Sequence, residues 1–287
     1  MKPRTIGITL GDPAGVGPEV VEAALAGFEK LDGFSFEVVG GTREHQAGKP
    51  TRASAQAALQ ALELAAERLK SGAWCGVVTG PVCKHAMRGV GFGFPGQTEF
   101  FAARAGVSNF AMCLTGGPLT VALVTAHVPL AKVAGILTKG EIVRVGRLLA
   151  EFLKARGIAE PRVAVAGLNP HAGEQGDLGV EEIEVVAPAV AELSQFGLFS
   201  GPHSPDTVFY RASEGEFDGV LCMYHDQGLI PLKLLAFHEG VNATLGLPFV
   251  RTSPDHGTAF DIAGKGVARC DSMRAALRLA VELAGRR

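Results

Sequence analysis

Three histidines in this 287-residue chain each follow an apolar, β-branched run: His127 closes LTVALVTAH, His171 comes after RVAVAGLNP, and His225 comes after DGVLCMY. In an open α/β sheet the ligand crevice lies outside the carboxyl ends of the strands, so side chains just past those ends converge. Neutral imidazole is the commonest metal-binding side chain, and a three-imidazole set leaves positions open for water or substrate. A divalent metal held by His127, His171 and His225 is therefore the first expectation. Such a set accepts zinc, cobalt, nickel or other divalent ions. The plainer alternative is one strand-end hydrogen bond per ring. It is kept for His45, His85, His203 and His238, which lack the strand-end setting.

Carboxylates and cations extend the pattern. Asp226, directly after His225, fits an imidazole-orienting carboxylate, a further ligand or a general base, with capping of the next turn as the alternative. Asp206, in GPHSPDTVF, has the same candidate roles against a stronger N-cap reading. Lys233, Asn242 and Arg251 interrupt apolar stretches after His225 and suit a substrate phosphate or carboxylate, while surface snorkelling is the alternative. The string GFGFPG, Gly91 to Gly96, matches G-x-G-x-x-G but follows no strand and contains Pro95, so it is not a dinucleotide fingerprint. It reads instead as a loop delivering Gln97 and Thr98 to a helix start. There, free N–H groups favour an anion, or Thr98 merely caps. GDPAGVGPEV is a glycine-rich turn from strand to helix.

These residues need a frame that holds strand ends in one row. TIGITL, FEVVG, CGVVTG, LTVALVTAH, RVAVAGLN and DGVLCMYH read as strands, alternating with helical periodicity over residues 18–29, 54–70, 97–105, 139–155, 181–195 and 272–284. That alternation predicts an α/β fold with a largely parallel sheet. Residues 112–127 differ: two strand-like runs around Gly116, Gly117 and Pro118 predict a hairpin and, with it, a second domain. The stretch over 42–53 is polar and structure-poor.

Composition narrows the partners. Charged residues make up 20% and the formal net charge is −2, with no basic stripe, so no nucleic-acid partner is expected. No apolar run approaches the roughly 20 residues of a membrane helix, and no export signal opens the chain. Cys75, Cys83, Cys113, Cys222 and Cys270 show no paired spacing and read as reduced thiols in a cytoplasmic protein.

The strings GDPAGVGPE, TGPVCK, FPGQTEF, TAHVPL, LNPHAGEQGDLG, YHDQGLIPLK and GVNATLGLPFVRTSPDHGTAFDIAGKG occur in this order, and together they resemble the 4-hydroxythreonine-4-phosphate dehydrogenase family from end to end. The resemblance implies oxidation of a secondary hydroxyl with NAD or NADP, then decarboxylation to 3-amino-2-oxopropyl phosphate, in a homodimer. It places the metal (zinc, cobalt, magnesium or similar) on His127, His171 and His225, and substrate contacts on Gln97, Thr98, Lys233, Asn242 and Arg251. Catalytic proton transfer falls to Asp226, Asp206 or Lys233. The family is similar to isocitrate and isopropylmalate dehydrogenases, which implies a two-domain fold of that kind with a mixed, largely parallel sheet and an interdomain cleft. In that likeness His256, Gly257, Thr258, Ala259 and Asp261 form an adenosine-binding loop. The expected division is 1–108 with 240–287 as a discontinuous first domain on the cofactor side, and 109–239 as the second on the metal and dimer side. One departure stands out. The family usually reads G-H-T-E where this chain has Gly96-Gln97-Thr98-Glu99, and a glutamine cannot carry a proton or charge at neutral pH. The turn between Gly40 and Ser54 is also shorter than is usual. The rival readings are a relative acting on phosphorylated threonate or erythronate or on a dihydrodiol carboxylate, a three-histidine zinc hydrolase, and a catalytically silent phosphometabolite-binding protein.

Overall fold

The structure is a computed structural model that describes residues 3–28, 33–41 and 45–286. In chain order its elements are β1 (Arg4–Thr9), α1 (Gly17–Ala26), β2 (Phe34–Val39), α2 (Arg52–Lys70), β3 (Gly76–Thr79), α3 (Lys84–Arg88), α4 (Gln97–Ala105), β4 (Ala111–Gly116), β5 (Leu119–Leu123), α5 (Leu130–Ile136) and α6 (Lys139–Ala155). They continue with β6 (Arg162–Ala166), α7 (Ala187–Leu193), β7 (Leu198–His203), α8 (Pro205–Ser213), β8 (Gly219–Cys222), α9 (His225–Ala236), β9 (Val241–Leu245), β10 (Val250–Pro254) and α10 (Asp271–Gly285). The end of the expected helix at residue 29 and residues 42–44 of the polar stretch lie outside the described residues.

The chain divides into two compact units, Met1–Ser108 with Leu247–Arg287, and Asn109–Gly246. The return crossing lies at Leu247 and not at 240, because β9 pairs antiparallel with β4, Asn242 opposite Leu114, and so stays with the second unit.

In the first unit β2, β1, β3 and β10 run side by side, all parallel. β3 and β10 are buried along their whole length, as expected for strands covered on both faces. The covering helices are amphipathic. In α10, Met273, Ala276, Leu277, Ala280 and Leu283 point inward at helical spacing. α2 starts two residues before the periodicity suggests, because Thr51 and Ser54 exchange side-chain-to-backbone hydrogen bonds of 3.1 and 3.0 Å in a capping box.

In the second unit the order is β9, β4, β5, β8, β6, β7: antiparallel from β9 to β5, parallel from β5 to β7. The predicted hairpin is β4–β5, with Gly116 opposite Leu119. Its core gathers Leu114, Val121, Leu123, Ala164, Val220, Cys222 and Leu232. The expected helix over 181–195 opens with a wider turn over Glu182–Val186 before α7. Among the described residues no helix is long and apolar enough to cross a membrane. All five cysteines are free, and burial pushes the Cys113 thiol up to about 12 and Cys222 higher still, which makes both poor nucleophiles.

Candidate active site

The second unit sets the three histidines at the carboxyl ends of three adjacent parallel strands. His127 follows β5, His225 follows β8 and His171 follows β6, and the strands neighbour one another in that order. Hydrogen bonds beyond the strands fix the row. Val124 N donates to the Cys222 carbonyl at 2.9 Å, and Thr125 Oγ1 to that of Met223 at 2.7 Å, which ties the chain entering His127 to the chain entering His225. Buried Gln227 uses both ends of its amide, accepting from Met223 N and donating to the Gly167 carbonyl, each at 2.7 Å. It thereby joins the start of α9 to the end of β6.

The His127 and His225 rings lie 5.4 Å apart between centroids. His225 Nδ1 meets Asp226 Oδ1 at 2.7 Å, so Asp226 acts on the ring as an orienting carboxylate and leaves Nε2 as the open nitrogen. His171 Nδ1 lies 3.9 Å from Asp206 Oδ2. Asp206 is not an N-cap: it sits in the first turn of α8, where its Oδ1 accepts from Ser204 Oγ at 2.5 Å. The Asp206 and Asp226 side chains are 60% and 71% exposed, open to solvent and to a ligand. Lys233 lies two helical turns beyond His225, its Nζ over the Phe237 ring at 5.8 Å, and Asn242 is half-buried in β9.

Among the described residues no three His, Cys, Asp or Glu side chains already stand together as an ion-enclosing group. The structure pairs His127 with His225 and leaves His171 beside Asp206. The donor set nonetheless suits a divalent ion: three imidazoles on neighbouring strand ends, one of them oriented by a carboxylate and another with a carboxylate nearby.

Backbone conformation also marks these positions. His127 has φ 56°, and residues 171–175 form a left-handed turn, with φ between 44° and 81°. Such conformations cost a non-glycine residue about 1–2 kcal/mol each and persist where surroundings enforce them. At the 171–175 turn the chain leading in is held by Glu182, 3% exposed, whose carboxylate accepts from Leu168 N and Asn169 N at 2.7 Å and from Asn169 Nδ2 at 2.9 Å. Glu182→Ala leaves two backbone donors unpaired, so we expect a stability loss of about 2–4 kcal/mol and faster amide exchange over 168–176. Wild-type exchange in that variant would show that Glu182 does not hold the turn.

His203, by contrast, is occupied within the fold. Its ring meets Ser200 Oγ at 2.8 Å and Arg211 Nη1 at 3.2 Å, and burial, then the Arg211 charge, holds its pKa below the usual histidine range.

The first unit holds the anion-binding candidates. Arg251, 4% exposed on β10, donates to Thr79 Oγ1 at 2.8 Å and to Thr98 Oγ1 at 3.4 Å. Burial lowers its pKa to about 10, against the opposing charge of Glu99, so the guanidinium is charged at neutral pH. Thr98 does not cap α4. Gly96 occupies that position, with extended backbone. Gln97 donates from Nε2 to the Gly80 carbonyl at 3.0 Å, while its Oε1 is buried with no hydrogen-bond partner.

Beside these residues, the glycine-rich turn meets the 255–261 loop: Val16 N donates to the Thr258 carbonyl at 2.9 Å. Gly11, at φ 75°, has no room for a β-carbon, which would lie 2.1 Å from the Pro81 carbonyl oxygen. His256 Nδ1 donates to the Gly257 carbonyl at 3.0 Å, so its buried, unpartnered Nε2 is an acceptor awaiting a donor. Gly257 and Asp261 are exposed, Thr258 is half-buried and Ala259 has φ 42°. An orphaned acceptor in a loop docked on a glycine turn fits a nucleotide cofactor.

Sequence reasoning missed Asp12, Thr79, Glu182 and Gln227. Asp12 is 1% exposed, with Oδ1 accepting from Ala14 N at 3.0 Å and Oδ2 unpartnered. The only signal for it was its place inside GDPAGVG.

Known proteins match along the whole chain. The model of the family described as pyridoxal phosphate biosynthetic protein PdxA matches residues 19–280. The 4-hydroxythreonine-4-phosphate dehydrogenase of Caulobacter vibrioides is 43% identical, covering 100% of this chain and 99% of its own. The crystal structure of that enzyme from Klebsiella pneumoniae superposes with TM-score 0.82 at 35% identity, over 98% of this chain and 99% of the other. A terephthalate 1,2-cis-dihydrodiol dehydrogenase from Burkholderia xenovorans follows at TM-score 0.69 and 27% identity, over 99% of each chain. Isocitrate dehydrogenase from Methylococcus capsulatus, at TM-score 0.54 and 17% identity over 99% of this chain and 86% of the other, shares the fold. The chain belongs to the PdxA family of pyridoxal phosphate biosynthetic proteins, and it is an oxidoreductase with an α/β, isocitrate-dehydrogenase-like fold.

Proposed function

We propose that this oxidoreductase converts 4-hydroxythreonine 4-phosphate to 3-amino-2-oxopropyl phosphate and carbon dioxide, using NAD or NADP and a divalent metal, as a cytoplasmic homodimer. The observation that carries the reading is the row of three imidazoles on adjacent strand ends, one with a carboxylate hydrogen-bonded at Nδ1 and another with a carboxylate 3.9 Å from it. The similarity to named dehydrogenases supports the substrate.

His127, His171 and His225 would hold the metal, which supplies Lewis-acid polarisation of a hydroxyl or keto oxygen. Arg251 and Thr98 take the substrate phosphate, since a guanidinium and a hydroxyl on rigid elements form charge-assisted hydrogen bonds with it. Gln97 adds an acceptor or, with its amide turned, a donor. Lys233 and Asn242 supply a second charge and amide to the substrate's polar groups. His256, Gly257, Thr258, Ala259 and Asp261 take the adenosine half of the cofactor. The cofactor would supply the hydride acceptor for the carbinol carbon, and Asp226, Asp206 or Lys233 takes the hydroxyl proton. The resulting β-keto acid loses carbon dioxide, and the enol carbon is reprotonated.

A second reading is favoured by Gln97 and by the likeness to the dihydrodiol dehydrogenase: a related hydroxy acid, such as a phosphorylated threonate or erythronate or a dihydrodiol carboxylate. Nicotinamide reduction across this substrate panel separates the two. On the first reading the phosphorylated amino acid has the highest kcat/KM, and Gln97→His raises it further, by about tenfold, through one charge-assisted hydrogen bond. A phosphate-free acid turned over faster would establish the second reading in its place.

A further inference from the structure

Away from the strand ends that carry the candidate site, the first unit contains a cavity of about 490 Å³, within the range of small-molecule pockets. Trp74, Leu69 and Phe249 give it an apolar lining, and Arg4, Lys70 and Arg104 put three cations on it. The cavity belongs to the amino ends of the sheet. Arg4 opens β1, Trp74 precedes β3, and Phe249 directly precedes β10. Thr79 and the glycine-rich turn follow the carboxyl ends of β3 and β1.

Lys70 and Arg104 lie in the last turns of α2 and α4, where cations complement the helix dipole, and Arg104 also pairs with Glu63 at 2.5 Å. Arg4 lies over the Phe34 ring at 5.8 Å, and dipole complementation leaves the aromatic lining unexplained. Trp74 packs so closely over Gly7 that a β-carbon there would lie 1.9 Å from the indole. Its N–H is committed to Glu37 Oε2 at 2.8 Å and the indole is 2% exposed, so Trp74 forms the floor of the cavity and the half-buried Phe249 supplies its accessible ring. An accessible aromatic ring and three cations lining one cavity are complementary to an aromatic ring bearing a dianion.

We propose that this cavity is a second ligand site, selective for a small aryl monophosphate. Trp74 is the chain's only tryptophan, so its emission reports on this site. Titrating the intact protein with phenyl phosphate should give a saturable change in emission. Lys70→Ala and Arg4→Ala should each weaken it about tenfold, the loss of one charge-assisted hydrogen bond, with nicotinamide reduction unchanged in Lys70→Ala. Arg4 begins a core strand, so if its variant fails to fold, the exposed helix-end Lys70→Ala carries the test. The proposal is overturned by the absence of a saturable change up to about 10 mM ligand, a concentration that would detect even millimolar affinity. Equal affinity for phenol or for inorganic phosphate, or an unaltered titration in Lys70→Ala, would overturn it as well.

Discussion

Replacing His225 with alanine is expected to reduce turnover by at least about 10³-fold and to strip the protein of divalent metal on dialysis. His225 stands between the other two candidate donors in strand order, its ring 5.4 Å from that of His127 and its Nδ1 oriented by Asp226. Removing it leaves a two-imidazole set, and the charge stabilisation that a metal supplies in a transition state is worth several kcal/mol. Asp226→Asn should cost less, about 10- to 100-fold in metal affinity, because it disturbs only the ring's orientation and basicity. The His225 side chain is 31% exposed, so thermal unfolding of the apo protein should barely change. Metal content by emission spectrometry, read beside the unfolding curve, separates a lost ligand from a damaged fold. A His225→Ala protein that kept both metal and turnover would remove the three-histidine assignment.

The second large effect is expected at Arg251. Its guanidinium is buried and held by Thr79 and Thr98, and on the proposed reading it makes two charge-assisted bonds to a phosphate. At about 1.5–3 kcal/mol each, their loss in Arg251→Met lowers kcat/KM for a phosphorylated substrate by about 10²- to 10⁴-fold. Arg251→Lys keeps the charge but not the fork and recovers only part. Burial also gives a pH signature. With a pKa lowered to about 10, the guanidinium is cationic below that value and loses its charge as pH rises through it, so phosphate affinity is retained at neutral pH and lost in that upper range. An affinity independent of pH from 8.5 to 11, in roughly one-unit steps around that pKa, would place the phosphate elsewhere.

The parts of the fold governed by local pattern were legible. α4 and α6 occupy the expected residues 97–105 and 139–155, because apolar residues recur there at helical spacing and glycine or threonine marks the start. The β4–β5 hairpin was visible in its Gly116-Gly117-Pro118 turn. β9 and β10 were not, because Asn242 and Arg251 interrupt them, and strand character there comes from pairing with distant strands, Leu114 opposite Asn242 and Val77 opposite Arg251. That same tertiary pairing moved the second unit's end from 239 to Gly246.

The candidate site divides in the same way. Histidines at strand ends follow from strand prediction alone. Glu182 and Gln227, which fix those ends, act across 14 and 60 residues of sequence and carry no motif. Nor did sequence indicate that His171 would sit in a left-handed turn beside Asp206. Gln97 was legible as an exception to a family pattern, but its unpartnered Oε1, which makes it an acceptor in search of a donor, emerged only with the fold.

The most direct measurement follows nicotinamide reduction and carbon dioxide release after 4-hydroxythreonine 4-phosphate is added to metal-stripped protein, with and without restored zinc, cobalt or magnesium. The predicted result is no reaction without metal and, with metal, one NADH or NADPH formed for each carbon dioxide released. Turnover that ignores the metal, or phosphate release without nicotinamide reduction, would contradict it.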